Sequence, residues 1–164
     1  MAKTRKFSLT YVPAEDRLAW DAEDDSGATV RVWLTQRFCR GFVGALIGKL
    51  PAPGPEVPVA HQATVQGFEQ AAAVSGLGKT PGVKVAAQAP SGLVRAAHIT
   101  PTRAGINIDF EFGAGERRGV TLPAAGVRQM LSIMHDLHVA AGWPTDFWPD
   151  WIAKPVAAGV TALN

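Results

Sequence analysis

Residues 105–112 read Gly-Ile-Asn-Ile-Asp-Phe-Glu-Phe, with Ile106, Ile108, Phe110 and Phe112 alternating against Asn107, Asp109 and Glu111. A period of two is the mark of a strand that lays one face on an apolar core and turns the other toward water. Downstream, 113–118 reads as a turn and 120–122 as a short return strand. Upstream, 93–100 reads as the preceding strand. The first third of the chain repeats the pattern. Phe7, Leu9 and Tyr11 alternate with Ser8 and Thr10; Leu18, Trp20 and Ala22 with Arg17, Ala19 and Asp21; Val30, Val32 and Leu34 with Thr29, Arg31 and Trp33. Pro13 to Asp16 and Asp24 to Ala28 supply the turns, with Gly27 available for positive φ.

Between and after these meanders the period changes to that of a helix. Thr35 is placed as an N-cap, and Phe38, Phe42, Leu46 and Leu50 recur at helical spacing beside Val43 and Ile47. The proline-rich run 51–58 stops that helix. An alanine-rich helix is expected over 60–74, with Val65, Phe68 and Ala72 on one face. Residues 75–92, rich in Gly, Pro and Ser, read as a long loop of the kind often tied to function. Pro123 opens a last helix to about Ala141, with Val127, Met130, Leu131, Met134 and His138 along one stripe and Gly142 as its cap. Segregated strands and helices argue for an α+β fold: a mostly antiparallel sheet or small sandwich in the order three strands, two helices, three strands, one helix. Each half runs from meander to helix, although no internal repeat is evident. Residues 1–142 form one domain in this reading. Residues 143–164 form a Trp-rich tail that packs on the domain or on a partner.

The chain has 164 residues, 47% of them hydrophobic and 18% charged, enough to bury a core without a metal or disulfide staple. One cysteine, Cys39, excludes an internal disulfide and a cysteine-only zinc site. A net charge of +2 does not by itself call for nucleic acid. No secretory h-region and no membrane span is legible, so the expected compartment is the cytoplasm.

Motif by motif, the chemistry is sparse. Residues 73–80, AVSGLGKT, mimic a relaxed phosphate loop, but a helix precedes them and Pro81 follows, so a plain glycine loop is the better reading. His135 and His138 lie one turn apart and could share a metal only if His61 or His98 approached; His138 on the apolar stripe reads as a core histidine. Cys39 in an apolar helix reads as an inert thiol. No nucleophile elbow, metalloprotease helix motif or dinucleotide fingerprint is present. The expectation leans away from an enzyme without closing that question, and it assigns no cofactor and no metal ligand, with a metal at His135 and His138 left open.

Two surfaces remain. Trp143, Phe147, Trp148 and Trp151 fall within nine residues. Rings of about 150–250 Å² each are too much apolar surface to leave in water. Gly41, Gly44 and Gly48 sit within the first helix, where each costs about 0.5–1 kcal/mol relative to alanine, a cost usually met where another backbone packs closely. These seven residues are the expected partner-binding set. Arg37 and Arg40, with Arg117 and Arg118, are the candidate contacts for nucleic acid or another phosphate ligand. Over residues 7 to 141 the element order resembles, in outline, the globular heads of centriolar-assembly and DNA end-joining scaffold proteins, which implies a dimerising C-terminal helix. The reading that follows is an interaction or scaffold module, self-associating or bound to another protein, with nucleic-acid binding or a small enzyme as alternatives.

Overall fold

The computed structural model describes residues 3–154 of the chain. Its elements are β1 (Thr4–Val12), β2 (Arg17–Asp24), β3 (Thr29–Leu34), α1 (Gln36–Lys49), α2 (Val59–Ser75), β4 (Ser91–Thr102), β5 (Gly105–Phe112), β6 (Glu116–Leu122), α3 (Ala124–Ala141) and α4 (Asp150–Ala153). The class is α+β. The six strands form one sheet in sequence order, and the sheet is mixed: every pairing is antiparallel except β3 with β4, which run parallel at Arg31–Ser91 to Trp33–Leu93. A parallel bridge from Lys3 to Gly119 brings the two edges of the sheet together. The expected order ended on one helix and an aromatic tail, whereas the tail here contains α4.

The two halves are copies of one unit. A shift of 88 positions carries β2 and β3 onto β5 and β6: Leu18 pairs with Leu34 and Ile106 with Leu122, Ala22 with Val30 and Phe110 with Arg118. The same shift continues through the helices. The buried residues Cys39, Phe42, Val43, Leu46 and Leu50 fall on Val127, Met130, Leu131, Met134 and His138, all buried. β1 and β4 match at a shift of 90, each with a register break at the corresponding place, between Thr4 and Lys6 and between Val94 and Ala96. The extra two positions are the longer first turn, Pro13 to Asp16 against Arg103 and Ala104. The packing is reciprocal: α1 lies on β4 and α3 lies on β1, so each helix shields the first strand of the other unit.

Trp20 of β2 meets Phe110 of β5 at 4.9 Å between ring centroids, and Phe42 of α1 meets the same Phe110 at 5.4 Å. The polar face of each central strand is not left wet. Asp21 and Asp109, equivalent and both buried, are each paired with an arginine of the next strand, Arg31 at 2.7 Å and Arg117. At one seam the halves differ in chemistry. Asp24 and Arg118 form a buried ion pair at 2.9 Å where the other half has Phe112 and Val30. The Ser26 hydroxyl, with Arg118 and the amides of Ser26 and Ala28, holds the Asp24 carboxyl down to about 2.

Thr35 caps α1 as expected, its Oγ1 accepting from the Phe38 amide at 3.1 Å. α2 departs from expectation. Its buried residues are Gly67, Gln70 and Ala73, while Phe68 is half exposed. The helix docks on α3 through small residues, and Gln70 Nε2 donates to the Arg128 carbonyl at 2.8 Å, a bond that the larger apolar face could not make. Residues 76–90 carry no regular element, but they run against the sheet. The Val83 amide donates to Ser8 Oγ and the Ala86 amide to Thr29 Oγ1, both at 3.0 Å, and Val83 is buried.

Candidate functional site

The aromatic tail folds back because Gly142 ends α3 in the left-handed region at φ 69°, which lets the Trp143 amide donate to the His138 carbonyl at 3.0 Å. Trp143 and Trp148 are then 6% and 5% exposed and join the main core. Trp143 Nε1 donates to Asp16 Oδ1 at 2.9 Å, and the same oxygen accepts from the Tyr11 hydroxyl at 2.9 Å. These two bonds, the Trp143 one foremost, lower the Asp16 pKa. Asp16 stands at φ 48°, so a strained turn residue is the clasp for the tail. His138 lies under the rings of Trp143, Trp148 and Phe147, with centroids at 5.1, 5.2 and 5.7 Å. Its Nδ1–H donates to the Met134 carbonyl at 2.7 Å, and burial lowers its pKa. Phe147 and Trp151 keep part of their surface, each beneath a guanidinium: Arg40 over Phe147 at 5.1 Å and Arg128 over Trp151 at 5.5 Å.

Arg40 and Arg128 are themselves equivalent at the shift of 88. Arg40 also reaches Asp146 at 3.2 Å, which ties the tail to α1. Of the other arginines named from sequence, Arg118 is buried on Asp24 and Arg117 is paired with Asp109, both on β6. Arg37, exposed on α1, has no ion pair among the described residues. Three of the four guanidiniums therefore already carry a carboxylate.

The glycines of α1 face outward. Gly41, Gly44 and Gly48 are exposed, and a Cβ placed on any of them would meet nothing within 4 Å. Among the described residues, no backbone outside the helix itself comes that close to them. Beside this face, α1 and β4 diverge to leave an open cavity of about 460 Å³ lined by Thr35, Arg37, Phe38, Gly41, Phe42, Ala45, Ala97 and Ile99. Sequence reading named Gly41 and Arg37 but missed its apolar floor, which needs the α1–β4 contact. The counterpart cleft between α3 and β1, about 490 Å³, is lined at matching positions by Gly126, Gln129, Met130, Ile133, Phe7 and Leu9. There the chain adds a third wall of its own, Leu77 to Gly82. This is the glycine loop whose sequence mimics a phosphate loop.

The remaining sequence candidates stay separate. His135, partly buried, packs on Trp148, His138 is buried, His61 lies on α2 and His98 on β4. Among the described residues no three His, Cys, Asp or Glu side chains are grouped to hold a metal ion. Cys39 is buried and its thiol is pushed up to about 12 by desolvation, so it stays protonated at neutral pH. No described helix is long and apolar enough to cross a membrane.

Comparison with known protein families, with curated proteins and with solved structures finds no match to this chain. The outline likeness to scaffold-protein heads thus extends no further than element order. The C-terminal helix such heads would use to dimerise is here packed on β1, α2 and α4 of its own chain.

Proposed function

We propose that this chain is a non-enzymatic interaction module whose contact surface is the outer side of α1. The observation that carries the reading is the open cleft floored by Phe38, Phe42, Ala97 and Ile99 and continuous with the exposed face of Gly41, Gly44 and Gly48. Small residues let a partner's backbone approach an apolar floor closely, and concave apolar surface with few polar groups is what a binding site offers. Arg40 extends the surface to Phe147, so the tail contributes through its less buried rings. Trp143 and Trp148 spend their area within the chain and hold the tail in position.

The test is a surface change that leaves the core alone. Gly44→Arg places a long cation on the open face, and the melting temperature reports that the fold is intact. Sedimentation velocity across a concentration series, with affinity capture by the immobilised full chain, is then compared between wild type and variant. Loss of self-association or of a specific retained protein in the variant supports the reading. Identical mass and identical retention remove it.

A further inference from the structure

The internal repeat indicates what the open cleft holds. In the α3–β1 cleft, the third wall is a stretch of the chain itself without helix or strand, Leu77 to Gly82, anchored where the Val83 amide meets Ser8 Oγ. The α1–β4 cleft has the same two walls at matching positions, and among the described residues its lining includes no third. Two differences suit it to a segment from outside. Gly41 and Ala45 stand where the other cleft has Gln129 and Ile133, which lowers the helix wall at those two positions, while Phe38 stands where the other cleft has Gly126. Gln129 is also engaged, its Nε2 donating to the Ala73 carbonyl at 2.8 Å, whereas Gly41 offers no such strap back to the chain.

The charge at the cleft points to the chemistry of the occupant. Arg37 lines it where the other half has Ala125, and no carboxylate is among its lining residues. A guanidinium at the rim of an apolar cleft is matched by an acidic residue beside an aliphatic one. We infer that the α1–β4 cleft binds an extended segment of a partner protein, carrying an acidic residue for Arg37 and aliphatic side chains for the floor of Phe38, Phe42 and Ile99. The segment serves as the third wall that Leu77 to Gly82 forms in the equivalent cleft. This rests on the interaction-module reading above and adds the partner's form and charge to it.

The probe is a displayed library of random linear peptides, selected on the full-length chain, with the enriched sequences remade and measured by fluorescence anisotropy. Two variants serve as controls, Gly41→Trp to occupy the cleft and Arg37→Glu to reverse its charge. Both sites are exposed, and thermal melting verifies that each variant folds. The expected result is a set of peptides with an aliphatic residue next to an acidic one, whose affinity falls about tenfold or more with either variant, a loss of about 1.4 kcal/mol or more. Binding should also weaken with added salt. Enriched peptides that ignore Gly41→Trp, or that lack an acidic residue and ignore Arg37→Glu, overturn the inference. Sedimentation of the same proteins separates the two levels of the proposal. A wild-type dimer abolished by Gly41→Trp makes a second copy the occupant, which overturns the inference while the interaction module stands. If no peptide is enriched and no self-association is seen, both fall.

Discussion

The three outward glycines of α1 offer a direct measure of whether that helix face is free. Each of Gly41, Gly44 and Gly48 has no neighbour within 4 Å of an added methyl, and none has a positive φ. Alanine at each site therefore meets no steric resistance and gains only helix propensity, about 0.5–1 kcal/mol per site. The methyls sit a turn apart and touch little else, so the effects add to within a few tenths of a kcal/mol. The triple variant is expected to be more stable than wild type by about 1.5–3 kcal/mol. At this chain length, each kcal/mol raises the melting temperature by about 2–4 °C. Guanidinium titration of the three single variants and the triple, at low protein concentration, gives the stability change directly. If the alanines lower stability, or if their effect reverses as protein concentration rises, a backbone already packs on this face in solution. The monomer geometry would then be the wrong basis for the calculation.

Other positions give contrasting outcomes. Gly105→Ala should destabilise by about 2 kcal/mol or more, because the backbone there is at φ 137° and a Cβ would lie 2.1 Å from the Leu122 carbonyl oxygen; denaturant midpoints at or above wild type would refute the geometry. Trp148→Ala should cost about 3–5 kcal/mol as a fully packed ring is lost, and truncation after Gly142 should cost more; a truncated chain with unchanged melting would show that the tail does not pack as described. Stability should also fall in acid in two stages. His138 titrates below its ordinary 6.5 when folded, so the unfolded chain binds the proton first and stability drops as pH falls through 6.5, levelling below the native value. Asp24 is held at about 2 against an ordinary 3.8, so its contribution is present above 3.8 and lost as pH falls toward 2. His138→Leu, which copies the equivalent Leu50, should abolish the first stage in a pH series of urea melts while leaving the second; an unchanged first stage would assign it to another group.

Much of the secondary structure was legible because each element carries a clean local period. The strand at 105–112, the cap at Thr35 and the α3 stripe through His138 are local signals, and each appears where its period places it. The repeat was not legible. Of the 34 residue pairs formed by 17–50 and 105–138, six are identical, among them Asp21 with Asp109, Leu34 with Leu122 and Arg40 with Arg128. What persists is burial, in which Phe42 and Met130 or Leu50 and His138 are equivalent without being alike. α2 misled for a related reason: its apolar residues suggested Val65, Phe68 and Ala72, yet close helix packing selected Gly67 and Ala73. The candidate cleft was half visible, through Gly41 and Arg37. Its floor depends on α1 crossing a strand that begins more than forty residues later, a pairing no local pattern encodes.

The reciprocal wrapping of the two units also bears on how the molecule reaches its native state. The first strand of each meander takes its helical cover from the other unit: β4 waits for α1, and β1 waits for α3. The bridge between Lys3 and Gly119 closes the longest span of chain in the sheet, 116 residues from 119 − 3, and therefore costs the most loop entropy to form before any contact repays it. Knitting that seam is expected to be the last event of folding and, during unfolding, the first to open. Hydrogen exchange at the leading end of β1 should then outpace exchange in β2 and β5, where the chain is held from both sides.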